Sequence, residues 1–159
     1  MYTEITIPSF CDRVIGFSIP ESSTVWAMSR KGLHKIKLGL RTTVETNPNH
    51  AEDYEIFDTE LNILDYKGIQ SRMLGENGGE PILQSQMRHT LRRGSQGTVS
   101  ASGESRESVD VVGADGKVLQ QLRFLDTSGE WCHATFSEDG RYVVIGVPNH
   151  LYAWCRIDR

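Results

Sequence analysis

The sequence predicts an all-β protein, built as an antiparallel meander of short hairpins. Near the C-terminus, the run FSEDGRYVVIGVPNHLYAWCR places Phe136 before a polar turn and two strand-like runs. Similar short runs of β-branched and aromatic residues recur along the chain, separated by Gly, Pro, Asn and Asp. Helical periodicity is confined to one short stretch. With 159 residues and 38% hydrophobic content, the chain is long enough to fold as a single domain, residues 1–159.

The first three strands are predicted within residues 13–40. An apolar alternation at 14–17 precedes a polar turn at 20–23, and a second apolar run follows at 25–28. A turn at 30–32 then leads into a third run. Loops this short favour antiparallel hairpins.

Two further hairpins are predicted in the middle of the chain, over residues 53–69 and 108–124. The second contains Asp115-Gly116, a pair that supplies the positive φ of a tight hairpin turn. In the first, strict alternation along DYEIFDTE would place Tyr54, Ile56 and Asp58 on one face and the acidic residues mainly on the other.

The connection over residues 70–107 is predicted to be irregular. Within it, the stretch 81–93 (PILQSQMRHTLRR) carries apolar residues at roughly helical spacing, so we expect at most one short helix there. The Gly/Ser-rich run 94–105 follows, and its composition is typical of a flexible loop.

The segment from Gly129 to Arg156 resembles one repeat of the WD40-type β-propeller family. The matching residues are Phe136, Ser137, Asp139, Gly140, Val143 and Trp154. The Asp that usually follows the terminal Trp is replaced by Cys155, and the upstream Gly-His pair is absent. Residues 13–40 repeat the same plan weakly. The resemblance implies a blade-like fold element and no chemistry.

The number of blades limits the architecture. Propeller blades take about 40 to 45 residues and a ring needs about four to eight of them, so this chain cannot close a ring alone. We expect an open sheet or a two-sheet sandwich, in preference to several chains completing a ring. The matching positions of the two blade-like segments should form the core: Phe17, Val25, Trp26, Phe136, Val144, Ile145 and Trp154.

Composition and charge restrict the partners. The formal charge of −4 and pI near 5.7 give no electrostatic drive toward nucleic acid or an anionic membrane and favour a basic partner. No apolar run approaches the roughly 20 residues needed to span a bilayer. The N-terminus lacks the features of a secretory signal, so we expect a cytoplasmic protein.

No catalytic, metal-binding or cofactor-binding motif is present in the sequence. The three cysteines, Cys11, Cys132 and Cys155, lack CxxC spacing, so buried free thiols are expected. The histidines lack metal-ligand spacing, and no P-loop or dinucleotide motif occurs. We therefore expect no enzyme activity, no metal and no cofactor.

The candidate partner-binding residues are five carboxylates and one tryptophan: Glu52, Asp53, Glu55, Asp58, Glu60 and Trp131. A dense acidic segment steers a basic partner. Trp131 follows Gly129 and Glu130, so it is predicted at a loop edge where an aromatic ring can serve as a binding platform. The basic segment 88–93 is the alternative contact surface.

Two hypotheses for function follow. The first is a non-enzymatic protein-interaction module, for which a small bacterial immunity protein that neutralises a basic toxin domain fits the size and charge. The second is a small-ligand or glycan-binding module, built from a partial propeller that completes itself by oligomerisation.

Overall fold

The structure, a computed structural model, describes residues 1–94 and 105–157. Most of the Gly/Ser-rich run 94–105 therefore lies outside the described residues. The strands are β1 (Tyr2–Ile5), β2 (Val14–Ser18), β3 (Thr24–Ser29), β4 (Gly32–Lys37), β5 (Thr43–Asn47), β6 (Phe57–Asp58), β7 (Ile63–Tyr66), β8 (Ile69–Gly75), β9 (Thr90–Arg93), β10 (Ser105–Val112), β11 (Val118–Asp126), β12 (His133–Phe136), β13 (Tyr142–Val147) and β14 (His150–Arg156). A 3-10 turn spans Pro48–His50.

The strands form three open antiparallel sheets. Their orders are β5-β4-β3-β2-β8-β7-β6, β1-β14-β13-β12 and β11-β10-β9, which we call the seven-, four- and three-stranded sheets. None closes into a barrel or a propeller, so the predicted open β sandwich is confirmed. Among the described residues, no helix reaches the length and apolarity that crossing a membrane requires.

The four-stranded sheet is the central layer. Val144 and Ala153 on one of its faces pack in a cluster with Phe17 of the seven-stranded sheet. Val143 and Ile145 on the opposite face pack against the three-stranded sheet. Because adjacent strand residues point to opposite faces, covering both faces buries every residue of β13.

The seven-stranded sheet is strongly coiled. In a flat sheet, β6 and β2 would lie about 14 Å apart, since neighbouring strands are spaced by about 4.8 Å. Instead, the ring of Phe57 on β6 lies 2.9 Å from the position that a Cβ would take on Gly16 of β2. Strands β6 to β8 therefore curl over the face of β2 that points away from the central sheet, and Phe57 fills the space above Gly16.

The two blade-like segments have matching layouts. In each, a five-residue loop separates the first two strands and a two-residue turn separates the last two. Ser18 Oγ accepts the N–H of Trp26, and Ser137 Oγ accepts the N–H of Tyr142. Both serines thus tie the first strand of the meander to the second.

The predicted core is confirmed at six of its seven positions. Phe17, Val25, Phe136, Val144, Ile145 and Trp154 are each at most 4% exposed. Trp26 is half-buried and packs with Tyr66 on the outer side of the seven-stranded sheet. All three cysteines are free thiols; Cys11 is buried and the other two are half-buried.

Residues 81–93, predicted to contain at most one short helix, contain none. Gln84 and Thr90 form a β-bridge around a tight turn in which Arg88 adopts a φ of +60°, and β9 begins at Thr90. Leu83 and Met87 are about half exposed. The apolar residues of this stretch thus fail to share one buried face, which is what normally stabilises a helix in a folded protein.

The predicted alternation along residues 53–60 is wrong. The Asp53 carboxylate accepts the N–H of Glu55, and the Asp53 carbonyl accepts the N–H of Phe57. These local bonds replace the first half of the expected strand with a turn. Consequently Phe57 is buried while Tyr54 is exposed.

Candidate functional site

The predicted acidic residues lie on two consecutive turns, which we call the acidic segment (residues 52–61). The carboxylate of Asp53 holds the first turn through the N–H of Glu55 at 3.0 Å. Asp58 Oδ1 holds the second turn by accepting the N–H groups of Glu60 and Leu61, each at 3.0 Å. Two of the five carboxylates therefore fix the backbone of the segment.

Two acidic side chains of the segment already have side-chain partners within the chain. Glu52 pairs with Arg30 at 2.7 Å, and Asp53 lies 2.7 Å from His50 Nδ1. The hydrogen bond from His50 holds the pKa of Asp53 below its usual value. Because both carboxylates already accept bonds from these neighbours, they offer less to a partner than the sequence suggests.

The remaining carboxylates of the segment are Glu55, Asp58 and Glu60. All three are exposed, and among the described residues none of them forms an ion pair. Tyr54 and Leu61 stand beside them in the sequence with 55% and 69% of their surface exposed. The acidic segment thus combines free negative charge with an exposed aromatic and an exposed aliphatic side chain.

Trp131 lies in the core and is only partly exposed. Its ring stacks on Phe17 with a centroid distance of 6.4 Å and an interplanar angle of 18°, and it lies 5.8 Å from the ring of His133. Its Nε1 is buried and has no hydrogen-bond partner among the described residues. The face that stacks on Phe17 cannot serve as a binding platform.

A charged strip joins the neighbourhood of Trp131 to the acidic segment. Arg13 forms ion pairs with both Glu130 and Glu76. A cavity of about 90 Å³ is lined by Arg13, Glu76 and, from the acidic segment, Glu52 and Tyr54. Arg13 alone pairs with two carboxylates, so the strip keeps an excess of negative charge that adds to the free acids of the acidic segment.

The sequence analysis missed a buried polar network on the seven-stranded sheet. Ser29 Oγ lies 2.7 Å from His34 Nε2, and Thr46 Oγ1 lies 2.8 Å from His34 Nδ1. His34 is fully buried under the ring of Phe10. Burial, with a smaller contribution from the charge of Lys31, lowers the pKa of His34 to about 4.

The Ser29–His34 contact superficially matches a nucleophile and its base. A cavity of about 190 Å³ beside it is lined by Ser29, Cys11 and Lys31, among others. However, Ser29 is only 1% exposed, and its Oγ also accepts the N–H of Lys31. Thr46 is uncharged, so it cannot stabilise the imidazolium that proton abstraction would create. The network therefore ties β3, β4 and β5 together and supports no hydrolytic step.

The hairpin register could have revealed this network. Ala27 pairs with His34, and His34 pairs with Thr46, so Ser29 lies diagonally from His34 on the same face. Deriving this register requires knowing that the turn between β3 and β4 contains only Arg30 and Lys31.

A larger cavity of about 400 Å³ opens where the four-stranded sheet meets the loop after β4. Its apolar wall includes Ile5, Leu40 and Ile157, and its rim carries Glu4 and Arg141. Leu40 is fully exposed and Ile157 is 53% exposed. The volume lies within the range of small-molecule sites, although exposed side chains form most of the wall.

The comparisons with known proteins add no assignment to this geometry. No family model matches the chain, and neither a curated protein nor a solved structure matches it. The described residues contain no group of three or more His, Cys, Asp or Glu side chains that could hold a metal ion. The WD40 resemblance therefore stays a prediction, and a function has to be argued from the surface itself.

Proposed function

We propose that this protein is a non-enzymatic interaction module that binds a basic partner protein through its acidic segment. One observation carries the proposal: exposed Tyr54 and Leu61 stand among free carboxylates on turns that are already fixed by hydrogen bonds. The contact residues of the proposal are Glu55, Asp58 and Glu60 with these two apolar side chains.

The combination fits the energetics of protein recognition. Large apolar side chains provide most of the binding free energy once they are desolvated, and Tyr is enriched among such anchors. Free surrounding charges accelerate encounter with a partner of opposite sign. Because Asp53 and Asp58 already hold the two turns, the backbone of the segment has less conformational entropy to lose on binding.

A more specific form of the proposal is an immunity protein that acts in the cytoplasm and neutralises a basic toxin domain. The short chain, its net charge of −4 and the absence of a catalytic motif in its sequence all suit this role. A toxin gene beside the gene of this protein would support it. The broader proposal of a basic protein partner does not depend on that finding.

The test is a binding experiment with charge-reversed variants. Asp53 and Asp58 hold backbone turns, so reversing them also perturbs the fold. The side chains of Glu55 and Glu60 make no such bond to any residue that the structure describes. We therefore choose Glu55→Lys with Glu60→Lys, which should lower the association rate of the partner without changing the melting temperature. The matched control reverses the exposed Glu45 and Glu80, which changes the net charge equally at other sites.

The salt dependence of the association rate gives a second measurement. Exposed charges are screened over about 8 Å at physiological ionic strength, so a rate governed by the acidic segment falls steeply as salt is added. Equal rates for the two charge-reversed proteins would show that overall charge, and not the acidic segment, governs binding. A rate indifferent to both substitution and salt would contradict the proposal and favour the basic segment 88–93.

The 400 Å³ cavity supports a second candidate function, the binding of a small ligand. Its wall of Ile5, Leu40 and Ile157 suits an apolar molecule better than a glycan. Fluorescence of an anilinonaphthalene sulfonate probe would detect such a site, and Thr3→Trp, which projects a large ring toward it, should abolish the signal. In the form predicted from the sequence, this function also requires a ring-sized oligomer, which a mass measurement detects directly.

A further inference from the structure

Most outer strands of the three sheets are protected from pairing with another chain. At the edge strand β1, the side-chain amide of Gln120 accepts the N–H of Tyr2 at 2.9 Å and donates to the Tyr2 carbonyl at 2.7 Å. An amide side chain thus takes the place of a neighbouring strand there. Exposed edges invite such pairing, so covering them prevents unwanted association.

A single segment covers two further edges, β12 of the four-stranded sheet and β9 of the three-stranded sheet. The Ile82 carbonyl accepts the N–H of Phe136 on β12, and the Leu83 carbonyl accepts the N–H of Leu91 on β9. The two outer strands of the seven-stranded sheet are short: β6 has two residues, and β5 has five and runs directly into Pro48. Within the described chain, this leaves β11 as the long uncovered edge.

The hydrogen-bonding direction along β11 follows from its neighbour β10. The Ser108 carbonyl accepts the N–H of Gly94, so the backbone of Ser108 faces β9 and that of Val109 faces β11. Leu122 pairs with Val109 and therefore bonds to β10. The backbone N–H and C=O groups of the flanking Gln121 and Arg123 consequently point to the open edge, where no described residue bonds them.

At both ends of this outward edge of β11, pairing with another strand is obstructed. A β-bulge interrupts the register at Leu119, which has no partner opposite it in β10. At the other end, the hydroxyl of Tyr152 donates to the Leu125 carbonyl at 2.9 Å. The part of the edge that can pair with another strand is therefore centred on Leu122. Its outward backbone groups belong to Gln121 on one side and Arg123 on the other.

We propose that a second copy of this chain pairs with β11 in antiparallel orientation about Leu122, so that two three-stranded sheets become one six-stranded sheet. A two-fold axis at Leu122 places Gln121 of each copy opposite Arg123 of the other. The two pairs exchange four backbone hydrogen bonds. The same axis places the exposed Leu119 opposite the exposed Leu125, which are 43% and 41% accessible in the single chain.

The side chains favour this register over the one centred on Arg123. Arg123 Nε already donates to Gln121 Oε1 at 3.0 Å within one chain, so the amide oxygen is oriented toward a guanidinium. An axis shifted by one residue to Arg123 would place two arginines directly opposite each other, which is destabilising. A self-complementary edge is the requirement for a two-fold dimer, and that is why a second copy is the occupant proposed.

The experiment measures the mass of the parent protein by sedimentation equilibrium from micromolar to millimolar concentration, with hydrogen exchange at both ends of that range. A concentration-dependent dimer is expected, with the amides of Gln121 and Arg123 exchanging more slowly at high concentration. Gln121→Arg should weaken the dimer about tenfold, because each copy then opposes Arg123 with a like charge. Gln121→Glu should strengthen it.

The matched control is Gln70→Arg on the exposed face of β8, which adds the same charge away from β11. Equal weakening by this control would overturn the proposal, as would a monomer at millimolar concentration or a ring-sized oligomer. Slowed exchange at other strands in place of β11 would also overturn it. The parent exchange pattern needs no variant, so the proposal stays testable if a substitution impairs folding. None of these variants touches the acidic segment.

Discussion

Ser29 Oγ and His34 Nε2 lie 2.7 Å apart in the interior of the seven-stranded sheet, where neither residue is more than 1% exposed. The pKa of His34 is lowered from 6.5 to about 4, chiefly by burial. The folded protein therefore keeps this imidazole neutral at a pH where the unfolded chain would protonate it.

This relationship predicts a stability that falls in mild acid. As the pH falls from about 6.5 toward 4, the unfolded chain binds a proton at His34 that the folded protein does not, so unfolding becomes easier. The loss attributable to His34 should reach roughly 2 to 3 kcal/mol. Urea unfolding of the parent and of His34→Gln at a series of pH values measures it. The variant should be less stable at pH 7 but show a shallower decline; parallel curves would contradict the assignment.

Phe136→Ala should destabilise the protein by roughly 3 to 5 kcal/mol, the usual range for truncating a buried Phe. Phe136 is fully buried between the four-stranded and three-stranded sheets. Leu40→Ala is the control, because Leu40 is fully exposed and should change the stability by less than about 0.5 kcal/mol. A melting temperature of Phe136→Ala within about a degree of the parent would exclude the core position.

Gly146→Ala should destabilise by roughly 1 to 3 kcal/mol through overpacking. A Cβ at Gly146 would overlap the ring of Phe17, where the central sheet meets the seven-stranded sheet. Gly39→Ala is the matched control, since a Cβ there meets no atom of the described chain within 4 Å. If the two alanine variants unfold at the same urea concentration, the sheets are less closely packed than described.

Gln120→Ala should loosen the edge strand β1. The substitution leaves the outward N–H and C=O of Tyr2 without their amide partner, which costs about 1 to 3 kcal/mol when such groups are poorly hydrated. Faster amide exchange at Tyr2 and a lower melting temperature are expected. Gln70→Ala provides the comparison, because Gln70 is exposed and makes no side-chain bond among the described residues. Equal amide exchange rates at Tyr2 in both variants would show that the Gln120 side chain does not hold β1.

Turn chemistry made much of this fold predictable from sequence. Asp115-Gly116 forms the turn between β10 and β11, with Gly116 at a φ of +82°. The blade-like segments share their loop lengths, but Ser18 ends β2 while Ser137 follows β12, so the two serines that aligned in the sequence do not occupy equivalent places. The complete burial of β13 could not be deduced, because it depends on which sheets cover its two faces, and that is a long-range property.

The errors arose where local polar groups compete with periodicity. The Asp53 carboxylate accepts the N–H of Glu55 and so bends the chain, and a pattern of alternating apolar residues contains no sign of this hydrogen bond. At the candidate site, the sequence identified the acidic residues but not that Glu52 and Asp53 are paired with Arg30 and His50. The Glu52–Arg30 pair joins separate turns, so only the structure reveals it, whereas His50 and Asp53 are three residues apart and their contact is local.

The proposed function is tested most directly by a quantitative capture experiment. The parent protein, the Glu55→Lys/Glu60→Lys variant and the Glu45→Lys/Glu80→Lys control are each immobilised and exposed to lysate of the source organism. Bound proteins are then compared by mass spectrometry at low and high salt. The account predicts a basic protein that the parent and the control retain at low salt and that the Glu55→Lys/Glu60→Lys variant loses. If every protein captured by the parent is captured equally by that variant, the acidic segment is not the binding surface.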